Sequence, residues 1–149
     1  MTRSAPESRA AFAHFLPVTT RWMDNDVFAH VNNVVYYSYF DTAVTHFLIE
    51  SGVLDIEKSP VVGLVVNTHC NYFSSIAFPD RISVGLRLAK LGSSSVRYDI
   101  AIFRNDEDLA SAQGQFVHVY VDRETNRPVP VPDSLVRALK KLALPAAAA

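Results

Sequence analysis

One segment, Asn32 to Gly52, constrains the fold of this chain more than any other. Tyr36, Phe40, Ala43, Val44, Phe47 and Leu48 recur at intervals of three and four, Asn32 or Asn33 can cap the start, and Gly52 is a natural stop. The spacing predicts a helix of about 17 residues, apolar on most faces, which other elements must cover on several sides. Every longer segment after it reads as strand. Val61 to Phe73 is rich in valine; Ile82, Val84, Leu86 and Leu88 alternate with Ser83, Gly85 and Arg87. Beyond a turn at Gly92, Val96, Tyr98, Ile100 and Ile102 alternate with Arg97 and Asp99, and a hairpin turn at Asn105 to Asp108 leads into a last strand, Leu109 to Val121. A first strand, His14 to Trp22, precedes the helix, and after a proline-rich loop Asp133 is placed to cap a short C-terminal helix, Ser134 to Leu142. The order predicts an α+β fold: an antiparallel β-sheet wrapped around one long central helix.

The 149 residues suffice for a single domain spanning residues 1–149, with its core at about 14–143. The polar, alanine-rich residues 1–11 and the run Pro145 to Ala149 have nothing evident to hold them, so both ends are expected to be flexible. Hydrophobic residues make up 49% and charged residues 19%, apolar enough to build a core and to pair with copies of the same chain. A net charge of −1 gives no general attraction to nucleic acid or to an anionic membrane. The longest apolar run, Val34 to Ile49, is interrupted by Asp41 and His46 and falls short of the ~20 residues that span a bilayer. Glu7, Arg9 and His14 break up any signal-peptide core, and the lone Cys70 cannot form an internal disulfide; the expected location is cytoplasmic. His14, His30, His46, His69 and His118 are too scattered to announce a metal site, and no glycine-flanked serine elbow is present.

The chemistry concentrates between the first strand and the helix, in RWMDNDVFAHVNN, Arg21 to Asn33. Two carboxylates, Asp24 and Asp26, one imidazole, His30, and the carboxamides of Asn32 and Asn33 gather ahead of the helix start. Free N–H groups and the helix dipole stabilise a developing negative charge there, as in an oxyanion hole. A neighbouring carboxylate can act as nucleophile or activate water. Together they suit acyl-transfer hydrolysis. Taken one by one, the aspartates can equally cap turns, His30 can satisfy loop backbone, and Asn32 can serve as helix cap. Asp41, mid-helix among apolar residues, must either be paired or face a pocket.

Arg21, Asp24, Asp26, His30-Val31-Asn32-Asn33 and Tyr36, followed by Tyr39-Phe40-Asp41, resemble the signature of hotdog-fold acyl-CoA thioesterases of the 4-hydroxybenzoyl-CoA thioesterase family. The Pro79-Asp80 turn, LGSSSVRY at Leu91 to Tyr98 and FVHVYVD at Phe116 to Asp122 extend the likeness over roughly residues 14 to 143. The resemblance implies hydrolysis of acyl-CoA thioesters to free acid and coenzyme A, with coenzyme A as part of the substrate and no separate cofactor or metal. It makes Asp26 the catalytic carboxylate and the backbone N–H at about Asn33 the group that polarises the thioester carbonyl. His30 and Asn32 would line the site and orient the loop or the attacking water. Ala29 stands where the family usually has glycine, so the loop must avoid positive φ there or accept strain. The resemblance further implies a homodimer or homotetramer with the acyl group between subunits. With no glycine-rich phosphate loop in the sequence, surface cations would hold the coenzyme A phosphates; Lys90, Arg97, Arg104, Arg123 and Arg127 are candidates, each of which can equally be a solvated strand-edge charge. Phe28, Tyr37, Tyr72 and Phe73 can line the pocket or the core.

Two alternatives stand beside this reading. A hotdog enoyl-CoA hydratase or dehydratase would carry its histidine five residues after the aspartate, with an intervening proline. Here His30 follows Asp24 by six and Asp26 by four, and no proline intervenes. A non-catalytic acyl-CoA-binding module would need the carboxylate to be incidental.

Overall fold

The computed structural model describes residues 4–144. Its elements are β1 (His14–Thr19), α1 (Asn33–Glu50), β2 (Val61–Tyr72), β3 (Arg81–Leu91), β4 (Ser95–Arg104), β5 (Ala112–Asp122) and α2 (Asp133–Leu139). The five strands form one antiparallel sheet in the order β1-β3-β4-β5-β2. This is the α+β arrangement anticipated above, one long helix held by a sheet. Among the described residues no helix is long and apolar enough to cross a membrane.

Alternation puts one set of strand side chains onto the helix. Val84 and Leu86 of β3, Val96, Tyr98, Ile100 and Ile102 of β4, and Phe116 and Tyr120 of β5 are buried in one cluster with Tyr36, Phe40, Ala43, Val44, Phe47 and Leu48 of α1. Each such side chain contributes about 1.5–3 kcal/mol by leaving water. At Gly114 a Cβ would stand 2.0 Å from the His69 carbonyl oxygen of the neighbouring strand and 2.7 Å from the Phe40 ring of α1. Only a residue without a side chain lets β2, β5 and α1 meet there.

Two expectations need correction. The helix is not covered on several sides within one chain: a single stripe is buried, while Val34, Asp41, Thr42 and Ile49 remain exposed on the other flank. Asp133 is the first residue of α2 and not its cap; Pro132, in extended conformation, precedes it and accepts from the Val136 N–H at 3.0 Å. The described part of the N-terminal segment, expected to be flexible, makes contacts with the sheet. The Arg87 guanidinium donates to both Glu7 carboxylate oxygens at 2.7 and 2.8 Å and to Asp99 at 3.0 Å. Phe12 packs with Ala101, Phe103 and Ala110 on the outer face of the sheet. Residues 1–3 and 145–149, the remainder of the expected flexible ends, lie outside the described residues.

The sheet ends on β2, which pairs with β5 on one side only. Its Leu64, Val65 and Val66 are exposed.

Candidate active site

The loop joining β1 to α1 is tied down at both ends by Asp24. A single 3-10 turn, Trp22–Asp24, carries this carboxylate inward until it is 1% exposed. Its Oδ2 accepts from the Tyr39 hydroxyl at 2.7 Å and the Arg21 N–H at 2.9 Å, and Oδ1 accepts from Arg21 Nε at 3.1 Å. Burial acts to raise its pKa, but the hydrogen bonds from Tyr39 and Arg21 outweigh burial and hold it below the usual carboxylate range. The Asp24 carbonyl accepts from the Asn32 N–H at 2.9 Å, so loop start and helix start are one unit.

Asp26 opens the tight turn at the tip. Its N–H donates to the His30 carbonyl at 3.0 Å, its carbonyl accepts from the Ala29 N–H at 3.0 Å, and its Oδ1 accepts from the Phe28 N–H at 2.9 Å. Ala29 accepts the strain: its φ is 65°, the left-handed region that glycine takes without penalty. The tip is moored from below, where Val31 N–H donates to Ile76 O at 2.7 Å and Asn25 Oδ1 accepts from Phe78 N–H at 3.0 Å. Asp26 is half-buried, and its second oxygen, Oδ2, makes no hydrogen bond among the described residues.

Asn32 caps α1, its Oδ1 accepting from the Val34 N–H at 3.0 Å. The Asn33 N–H makes no hydrogen bond among the described residues, and no acidic side chain occupies the first helical turn. The positive end of the helix is therefore neither capped at Asn33 nor neutralised. Beside it is a cleft of about 270 Å³ lined by His30, Asn33, Tyr36, Tyr72, Ser74 and Ser75, among others. Tyr72, at the end of β2, donates its hydroxyl to the Asn33 carbonyl at 2.9 Å. Burial, reinforced by neighbouring Cys70 and Tyr37, pushes the Tyr72 pKa well up, so the group stays a donor.

The structure thus brings His30 and Asn33 to one cleft, gives Asn32 the part of cap, and places Asp26 in the adjoining turn and not in the cleft wall. Of the aromatic candidates, Tyr72 and Phe73 line the cleft, whereas Phe28 projects from the loop, 80% exposed. Sequence reasoning left Tyr72 undecided between core and pocket and passed over Ser74 and Ser75. The signal for Tyr72 lay in the two-residue alternation of β2, which sends it to the helix side together with Cys70. Burial raises the Cys70 thiol to about 11, which removes it as a nucleophile at neutral pH. Among the proposed phosphate-holding cations, Arg104 is engaged by Glu107 and Ser75, and Arg123 by the carbonyls of Ser59 and Ile56.

Comparison with known proteins agrees with this fold. The sequence profile of the thioesterase-like superfamily matches residues 18–139. The crystal structure of the PA5185 protein from Pseudomonas aeruginosa is 51% identical with a TM-score of 0.90, over 93% of this chain and 96% of that one. The DHNA-CoA thioesterase of Staphylococcus aureus is 20% identical with a TM-score of 0.76, over 85% of this chain and 88% of that one, a likeness of fold. The L-carnitine dehydrogenase/betainyl-CoA thioesterase of Agrobacterium fabrum is 27% identical over 130 residues, 87% of this chain but only 26% of that longer protein. A sheet-wrapped helix, an unpaired N–H at its start and a profile match across most of the chain lead to one conclusion: this protein belongs to the thioesterase-like superfamily and has the hotdog fold.

Proposed function

We propose that the protein hydrolyses acyl-CoA thioesters to the free acid and coenzyme A, with Asp26 as nucleophile or general base. The observation that carries this reading is the Asn33 N–H, without a hydrogen-bond partner among the described residues at the un-neutralised start of α1, beside a cleft and next to the turn that holds Asp26. A thioester carbonyl directed at that N–H gains charge on oxygen as it becomes tetrahedral, and the helix end stabilises the charge. Asp26 has one carboxylate oxygen fixed by the Phe28 N–H and the other without a partner, which supports attack on the carbonyl carbon or on a water beside it. His30, on the cleft wall, and Asn32, as cap, orient the loop that carries Asp26.

The acyl chain runs between two subunits that join along β2, and the working form is a homodimer or a pair of dimers. Its place is the cytoplasm. The hydratase and binding-module alternatives gain no specific observation.

The test is thiol release from a panel of aliphatic and aromatic acyl-CoAs. The wild-type protein releases coenzyme A from at least one member, and Asp26→Asn lowers kcat at least about 100-fold, the scale of losing a nucleophile or base. Undiminished turnover in Asp26→Asn would remove Asp26 from the chemistry, and hydration of an enoyl-CoA without thiol release would move the enzyme to a different reaction.

A further inference from the structure

A second cavity, about 130 Å³, lies between α1 and the β2-β5 edge of the sheet, lined by Asp41, Thr45, Leu48, Val65, His118 and Tyr120, among others. His118 is 5% exposed, and neither ring nitrogen has a hydrogen-bond partner among the described residues. Buried polar groups are paired in the great majority of cases, so an imidazole with both nitrogens unpaired within the protein calls for a partner in the cavity, a water or a ligand. The neighbours of His118 are ring edges, those of Tyr98, Phe116 and Tyr120, which hold it in place without satisfying it. Room beside Nδ1 exists because β2 carries glycine opposite Tyr120: a Cβ on Gly63 would stand 3.1 Å from that nitrogen and 3.1 Å from the Tyr120 ring. Asp41 lines the same cavity and forms no ion pair or hydrogen bond among the described residues.

The lining selects its occupant. Burial keeps the imidazole neutral, although the Asp41 charge pulls the other way; one nitrogen donates and the other accepts. The Asp41 carboxylate disfavours an anion. A hydroxyl complements both groups, since its oxygen accepts from the imidazole N–H while its proton is donated to Asp41. An alkyl end satisfies neither. The cavity has room for the end of a chain and not for a coenzyme.

In the β2-to-β2 dimer proposed above, strand geometry would place this cavity on the path of an acyl chain. In an antiparallel pair of β2 strands, the Tyr72 end of one strand meets the Val61–Val65 end of the other. Tyr72 touches the candidate oxyanion site, and Val61 and Val65 line the cavity. In that dimer a chain leaving the Asn33 N–H of one subunit would point towards the cavity of the other. We infer that His118 is a specificity-determining residue, which receives the distal hydroxyl of a hydroxyacyl thioester held by the neighbouring subunit. This rests on the thioesterase reading and names the acyl class it would prefer.

The experiment uses aliphatic acyl-CoAs of four, six and eight carbons, each with and without a terminal hydroxyl. Thiol release is measured with the wild-type protein, and binding is measured by calorimetry with Asp26→Asn. At the best-fitting length, the hydroxylated member exceeds its partner about tenfold in kcat/KM and in affinity, the worth of one buried hydrogen bond. His118→Phe brings the ratio to about one, while His118→Gln, which keeps a donor and an acceptor, retains part of it. Gly63→Ala, which leaves the imidazole in place but puts a methyl group against Nδ1 and the Tyr120 ring, lowers the ratio independently should His118→Phe not fold. Thiol release with a ratio of one at every length, or a ratio unchanged in His118→Phe or, where that variant does not fold, in Gly63→Ala, overturns the assignment and leaves the thioesterase reading in place. Discrimination in binding without thiol release sustains His118 and overturns the hydrolysis. If nothing is bound or cleaved, both fall.

Discussion

Asp24 and Asp26 are two positions apart and have opposite environments. Asp24 is buried with three donors on its oxygens; Asp26 has one, and keeps an oxygen without a partner. Removing the first leaves the Tyr39 hydroxyl buried without an acceptor and unties loop from helix. Asp24→Ala should therefore cost about 2–4 kcal/mol in chemical denaturation, whereas Asp26→Ala stays within about 1 kcal/mol. Activity reverses the order: Asp26→Ala folds and fails to release thiol. The pH dependence follows from the same contacts. The folded-state pKa of Asp24 is depressed, so its contribution is fully present above the unfolded value near 3.9 and is lost as pH falls through the folded value. The imidazole of His118 is also depressed, but it is a base. The unfolded chain binds its proton first, so stability declines as pH drops below about 6.5 towards the folded pKa. Denaturant midpoints measured from pH 8 to pH 3 should fall in these two windows, the upper one absent in His118→Phe and the lower one shallower in Asp24→Asn.

The loop tip is the element in which local sequence and local structure disagree. Ala29 has φ 65°, and its turn is held by Asp26 and moored through Val31 and Asn25. Ala29→Gly should raise stability by about 1 kcal/mol, read as a shift in denaturation midpoint with unchanged slope. If the strain holds Asp26 in place, the same substitution lowers thiol release. This residue also shows what the sequence makes legible. The missing glycine was visible as a conflict, but which way the loop resolves it depends on contacts with Ile76 and Phe78, far along the chain. Helix α1 and strands β2 to β5 were readable because caps and alternation are local signals; Asn32 caps as its type and position suggest. The contacts of the N-terminal segment were not readable, because Glu7 is held by Arg87, a partner on the outer face of a central strand. Tyr72 was readable as a residue of pocket or core, but its contact with the helix start was not. Its hydroxyl reaches Asn33 only after β2 has folded across the start of the helix.

For the whole molecule, the open edge of β2 matters most. Its 12 residues, VVGLVVNTHCNY, include no Lys, Arg, Asp, Glu or Pro, and β5 satisfies only one side of the strand. Soluble proteins protect such an edge with charge, proline or a covering element, because the unpaired N–H and C=O groups otherwise recruit another strand. This chain supplies none of these on the strand itself, while Leu64, Val65 and Val66 are exposed there and Val34 and Ile49 are exposed on the flank of α1. A second copy pairing β2 with β2 would cover the strand edge and bring two clefts to one interface. In a two-fold antiparallel pair, residues near the middle of the strand face their own copies, and the middle of β2 falls at Val66 and Asn67. A charge introduced there opposes itself. Val66→Lys should therefore sediment as a monomer where the wild-type protein sediments as a dimer or tetramer, with retained secondary structure by circular dichroism. Because the acyl chain would cross between subunits, that monomer should also lose thiol release despite an intact Asp26 and Asn33. A Val66→Lys protein that stays dimeric would place the subunit contact elsewhere, and a fully active monomer would return the whole acyl site to one chain.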